Sequence, residues 1–206
     1  MKILALELST ARGSLAWLDT DSTNTEVVTW PNDRKDSGPF FDHLQRVIRE
    51  FGLPGKIIVG FGPGSYAGVR IAISAAIGLQ AAATSELVGY PSVCAMETSD
   101  EDYVVIGDAR RKSFFFVTIR ARNVAGDYEL LDESALQDRL RKIGPGLSIM
   151  SSDLLPQFQT VEQRFPSAEV LARLAADPDR KFSVPPLEPI YLREANVTIP
   201  KPIFKS

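Results

Sequence analysis

Apolar and polar positions along the first thirty residues fall into short blocks: KILALEL at 2–8, GSLAWL at 13–18 and EVVTW at 26–30. Blocks of this length, separated by the turn STARG and by a polar loop, predict three strands. The spacing then changes. In PFFDHLQRVIREF, 39–51, apolar residues recur every three or four positions at Phe41, Leu44, Val47, Ile48 and Phe51. That period predicts an amphipathic helix, with Gly52 as its stop. KIIVGF reads as a fourth strand, GPGSYAG as a glycine loop, and Ser65 to Ala83 as a long helix, so the first half runs βββαβα.

The second half repeats that order without repeating the letters. YVVIGDA, SFFFVTIRA and DYELL read as strands, the first two joined by the basic turn RRK. DESALQDRLRKIG reads as a helix with Asp132 at its start and Gly144 at its end. LSIMS is strand-sized, and PSAEVLARLAADP is a helix closed by proline, giving βββαβα again. PSVCAMETSDED between the halves reads as a short helix running into a polar hinge. From about Lys181 onward the chain is proline-rich and is expected to run extended. The expected organisation is a first lobe at 1–98, a second at 99–184 and an extended tail at 185–206 that can return to the first lobe.

Composition narrows the function. With 206 residues, 44% hydrophobic and 24% charged, the chain has the make-up of an ordinary globular protein rather than a disordered one. A net charge of −3 gives no general attraction for nucleic acid, which leaves only local patches to consider. Cys94 is the single cysteine, so neither an intramolecular disulfide nor a cysteine metal site can form. The apolar run in MKILALELST is too short for a secretory signal, and no stretch is expected to span a membrane. The expected location is the cytoplasm.

Four features carry candidate chemistry. Gly60, Gly62 and Gly64 can offer backbone N–H groups to a phosphate, but the loop has no lysine and matches neither the P-loop nor the dinucleotide pattern. Its other reading is a tight turn at Gly62, Pro63 and Gly64, with Ser65 capping the helix and Arg70 as the nearest cation. On that helix Gly68, Ala72, Ala75, Ala76, Leu79 and Ala83 follow at steps of three and four, making one flat face of small side chains. The helix is apolar almost all round, so a second cover is expected: the other lobe, its own sheet or another chain. If another chain is the cover, Ala75→Arg or Ala76→Arg is expected to abolish pairing while the monomer stays folded. Arg110, Arg111 and Lys112 form a basic turn that either meets RNA phosphates or an acidic partner, or is simply solvated; Arg193, Lys201 and Lys205 near the end share that ambiguity. His43 is the single histidine, and no nucleophile-elbow sequence accompanies it, so metal-site and Ser-His-Asp hydrolase chemistry find no residues to use.

ILALELST, GPGSYAGVRIAI, GDARRKSFFF and YLRE occur in the order in which similar segments occur in the TsaB (YeaZ) family, which this chain resembles over most of its length. The resemblance implies an α/β, duplicated ribonuclease-H-like fold of the actin, sugar-kinase and Hsp70 class. It also implies a non-catalytic scaffold role in adding threonylcarbamoyl to adenosine in tRNA, without a cofactor or metal of its own. The implied partners are a TsaD-like catalytic subunit, docked through first-lobe helices, and a TsaE-like ATPase. A homodimer is the alternative when the chain is alone, and contact with tRNA is indirect or weak. The family's first strand usually ends in aspartate where this chain has Glu7, and Tyr66, Ala67 and Ala72 also depart from its pattern. In active members of the wider fold class the first-strand aspartate holds Mg²⁺ and the next turn grips phosphates. Glu7, Ser9 and Thr10 therefore mark a vestigial nucleotide loop, and a degenerate nucleotide-binding phosphotransferase is the alternative function.

Overall fold

The computed structural model describes residues 1–22, 24–33 and 36–193. β1 (Lys2–Glu7), β2 (Arg12–Asp19) and β3 (Thr25–Pro31) form an antiparallel meander. α1 (Gly38–Phe51) leads to β4 (Lys56–Gly60), which pairs parallel with β1. α2 (Tyr66–Ala83) then leads to β5 (Glu86–Tyr90), parallel to β4, and the sheet order is β3-β2-β1-β4-β5. After a short 3-10 turn at Ser92–Ala95 the second half begins with the same βββαβ order but ends βα where the first ends αβ, so the expected repeat of element order holds only in part. β6 (Tyr103–Asp108), β7 (Ser113–Arg120) and β8 (Asn123–Asp132) form the meander, followed by α3 (Glu133–Arg141), β9 (Ser148–Ser151), the two-residue β10 (Glu162–Gln163) and α4 (Ala168–Ala175). Its sheet order, β8-β7-β6-β9-β10, equals the first with each strand replaced by its counterpart. The architecture is the duplicated ribonuclease-H-like, two-lobe α/β fold.

Each half has one strand more than its hydrophobic pattern suggests. β5 is the five-residue ELVGY and β10 only two residues, too short for either to show a period of its own. α1 packs the expected stripe at Leu44, Val47, Ile48 and Phe51 against the core but departs from it at its first position. Phe40, Leu44 and Val47 are buried while Phe41 is exposed, because Phe40 packs on the Trp30 ring beneath the helix.

Alternation along the strands builds the layers. Leu4, Leu6, Ile57 and Val59 point to one face of the first sheet and pack under α1 and α2 with Phe40, Val47, Val69 and Ala72. Ile3, Ala5 and Ile58 point to the other face, where Leu171, Ala172 and Ala175 of α4 lie against them. Val105, Val117 and Ile119 of the second sheet join that same cluster, so α4 is packed between the sheets. Val104, Ile106, Phe114 and Phe116 face outward to Leu136 of α3 and Phe158. The segment after α4 returns to the first half: Ser183 bridges Gly89, Leu187 is buried beside Phe61, and the Ile190 N–H donates to the Phe61 carbonyl at 2.9 Å.

Candidate functional site

The glycine loop between β4 and α2 is filled by its own chain. Ser65 caps α2, its hydroxyl oxygen accepting from the Gly68 N–H at 3.2 Å. The Ser65 N–H donates to the Ser9 carbonyl at 2.6 Å, and the Gly62 N–H donates to the Ser92 hydroxyl at 2.9 Å. The turn after β1 thus occupies the ground in front of the helix, where a phosphate cradle needs open N–H groups. Arg70 does not reach the loop either. Its guanidinium lies over the Tyr66 ring, 5.0 Å from the centroid, and donates to the Tyr66 hydroxyl, while Tyr66 in turn meets Tyr191 at 5.3 Å.

Glu7, Ser9 and Thr10 do not converge on a Mg²⁺ site. Glu7 is fully buried; its Oε1 accepts the Ser9 N–H at 2.7 Å and its Oε2 has no partner. A Cβ at Gly60 would stand 1.8 Å from that Oε2, so the carboxyl is folded into the space a side chain there would take. Burial raises the Glu7 pKa above its usual carboxylate range, opposed more weakly by the Ser9 N–H and by the nearby Ser9 and Ser92 hydroxyls. The Thr10 hydroxyl donates to the Arg12 carbonyl at 3.0 Å, and the Ser9 hydroxyl is buried without a partner. A hard cation needs several charged or open oxygens around one point, and these residues do not fit one. Among the described residues no three His, Cys, Asp or Glu side chains gather as metal ligands.

The raised Glu7 pKa has a consequence for stability. A carboxyl whose pKa is raised by folding favours the folded state fully only below its unfolded pKa. That contribution falls as pH rises through the ordinary carboxylate range towards the raised folded value. Glu7→Gln keeps the shape and removes the titration. Its melting temperature is expected to exceed that of the unsubstituted chain at pH 8 and to approach it at pH 4.5; equal gaps at both pH values would disprove the assignment.

The flat face of α2 is not free. Gly68, Ala72 and Ala76 are buried against the first sheet together with Val69 and Ile73, and Ala75, Leu79 and Ala83 are half-buried at its margins. Small residues let this helix approach its own strands, so the predicted docking face is an internal one. The apolar character on the opposite side remains open to solvent. α2 has mean hydropathy 1.3 over 18 residues, yet only 28% of it is buried. By length and composition alone it would reach across a bilayer, contrary to the expectation that no stretch does so; its packing on the sheet makes it part of the α/β fold. Ile77 is 50% exposed and Phe41 on α1 48% exposed. Between the two helices runs a groove of about 410 Å³ lined by Phe41, Asp42, Leu44, Gln45, Ile48 and Leu79. This open side was legible in the all-round apolar pattern, but which side lay open was not.

The basic turn has an unusual backbone. Arg110, Arg111 and Lys112 all have positive φ, at 66°, 55° and 59°. Each L-residue in that region carries a cost of about 1–2 kcal/mol. Asp108 fixes the turn's first residue, accepting the Arg110 N–H at 2.7 Å and pairing with its guanidinium at 3.2 Å. His43 lies against the Trp30 ring, 5.0 Å between centroids, as a packing residue. Cys94 is fully buried and its thiol is pushed up to about 12, first by burial, which makes it inert at neutral pH. Arg193 is at the edge of the described chain, and Lys201 and Lys205 lie outside the described residues.

A two-sheet ribonuclease-H-like molecule with a closed glycine loop and one open apolar helix face is the class that the geometry defines. The sequence matches the TsaD family, described as tRNA N6-adenosine threonylcarbamoyltransferase, over residues 44–197. The chain belongs to that family. Among solved structures it is similar to a Pseudomonas aeruginosa protein described as having similarity to peptidase YEAZ, with TM-score 0.72, 21% identity, and coverage of 93% of this chain and 99% of that one. It is also similar to YeaZ from Pseudomonas aeruginosa, with TM-score 0.64, 20% identity, and coverage of 85% and 91%. Identities of this size establish a shared fold, and the YeaZ resemblance drawn from the motifs holds at that level. No curated protein matches the sequence.

Proposed function

We propose that the chain is a non-catalytic partner subunit of an assembly that adds threonylcarbamoyl to adenosine in tRNA. In this reading it docks a TsaD-like catalytic subunit through the open side of α2 and the groove beside α1. A TsaE-like ATPase completes the assembly in the cytoplasm. The observation that carries the reading is α2 itself, an 18-residue apolar helix of which only 28% is buried. Leaving such a surface in water forfeits roughly 25 cal/mol for every Å² of apolar area, which favours a macromolecular cover. The self-filled glycine loop and the sealed Glu7 support a scaffold role over nucleotide chemistry.

The test is to mix the purified full chain with the TsaD-like subunit of the same organism and follow the pair by size-exclusion chromatography with light scattering. A one-to-one complex is the expected result. A chain that forms only its own dimer, or none, would overturn the docking reading. Calorimetry with ATP and Mg²⁺ on the isolated chain is expected to show no saturable heat; clear binding would instead support the phosphotransferase alternative.

A further inference from the structure

We infer that the tip of the β6–β7 hairpin, Arg110 to Lys112, is a contact for the phosphodiester backbone of an RNA substrate, an inference that rests on the tRNA-modifying reading above. The argument starts from which residues occupy left-handed backbone. Thr84 does so as the C-cap of α2, and Ala121 and Arg122 do so in the β7–β8 turn, where the Ala121 N–H donates to Asp102 Oδ1 at 2.8 Å. Arg122 has an internal reason: it is buried and its guanidinium donates to the carbonyls of Met96, at 3.1 Å, and Thr98, holding the link between the halves. The 110–112 tip has three such residues in succession, where glycine, asparagine or aspartate would fit with less strain. Arg111 and Lys112 are exposed, and neither takes part in an ion pair or a side-chain hydrogen bond among the described residues. Folding therefore does not account for their presence.

The tip is held still nonetheless. Asp108 accepts the Arg110 N–H, and the Asp108 N–H donates in turn to Asp153 Oδ2 at 2.8 Å. The Ala109 N–H donates to the Ser113 carbonyl at 2.9 Å and closes the hairpin. The corresponding turn of the first half, after β1, is docked on Ser65, whereas this one is open. Two unpaired cations on a fixed, narrow tip offer charge but little area. A protein partner needs anchors, arginine among them, set in a well-packed and desolvated patch, which a narrow exposed tip does not provide, while a phosphate backbone is gripped by point contacts from lysine and arginine. With a chain charge of −3, such a local contact also avoids general adhesion to nucleic acid.

The experiment titrates a fluorescent, unmodified tRNA transcript into the chain assembled with its TsaD-like subunit, at several salt concentrations. Arg111→Glu with Lys112→Glu should weaken binding about tenfold or more and lower the slope of log affinity against log salt by about 2. Arg111→Gly with Lys112→Gly separates charge from structure: it relieves the strained backbone, so the melting temperature should rise while RNA affinity falls. Unchanged affinity and slope in both double variants would overturn the contact. Pairing is scored first on the same samples. If the unsubstituted chains fail to pair, the docking reading fails separately, and the titration on the full chain alone decides the hairpin by the same criterion.

Discussion

The Ile77→Arg variant is expected to fold as a monomer that no longer pairs with a TsaD-like subunit, losing at least about 100-fold in affinity. Ile77 is half exposed in the middle of the open side of α2, so a long charged side chain there can lie in solvent without disturbing the sheet beneath. In the complex the same side chain would be an unpaired charge under a partner surface. Burying such a charge costs several kcal/mol, and the isoleucine burial lost with it adds roughly 2 kcal/mol. Ala76→Arg makes the contrast. Ala76 is fully buried against the first sheet, so arginine at that position is expected to unfold the chain rather than to test its pairing. Circular dichroism separates the two outcomes. Pairing of the Ile77→Arg variant at the original affinity would remove the open side of α2 from the interface.

Gly68→Ala is expected to lower stability by about 3 kcal/mol, which for a chain of this size lowers the melting temperature by roughly 6–12 °C. A Cβ at Gly68 would stand 2.1 Å from the Leu8 carbonyl oxygen, a backbone atom at the end of β1 that has no rotamer to change. Helix and strand would have to separate, taking the Ser65–Ser9 hydrogen bond with them. Gly78, ten residues further along the same helix, supplies the control: a Cβ there meets nothing within 4 Å. Gly78→Ala is expected to raise stability by about 1 kcal/mol through helix propensity alone. Equal effects at the two positions, measured by thermal and urea unfolding, would disprove the close approach.

Much of this architecture was written in local spacing. The short apolar blocks around Leu4 and Val105 and the period-3.6 stripe of α1 located most elements and showed the βββαβ order that the two halves share. β5 was hidden because ELVGY is a short apolar run beside a helix end, and β10 because two residues have no period. The site was read less well, for a physical reason. Small residues signal close approach but not what approaches, so the stripe Gly68, Ala72 and Ala76 was equally compatible with a foreign helix and with the chain's own β1 and β4. The exposed residues Ile77 and Phe41 become meaningful only after the buried side is assigned. The left-handed geometry of Arg110, Arg111 and Lys112 is likewise invisible in letters that favour neither turn nor strand.

α4 belongs in sequence to the second half yet presses on β1, β2 and β4 of the first, inside a cluster that unites both sheets. Its leucines and alanines thus tie residues of the two sheets into one shared core. In the proposed complex a subunit landing on α2 would meet a helix backed by that shared core, which lowers the ordering cost of association.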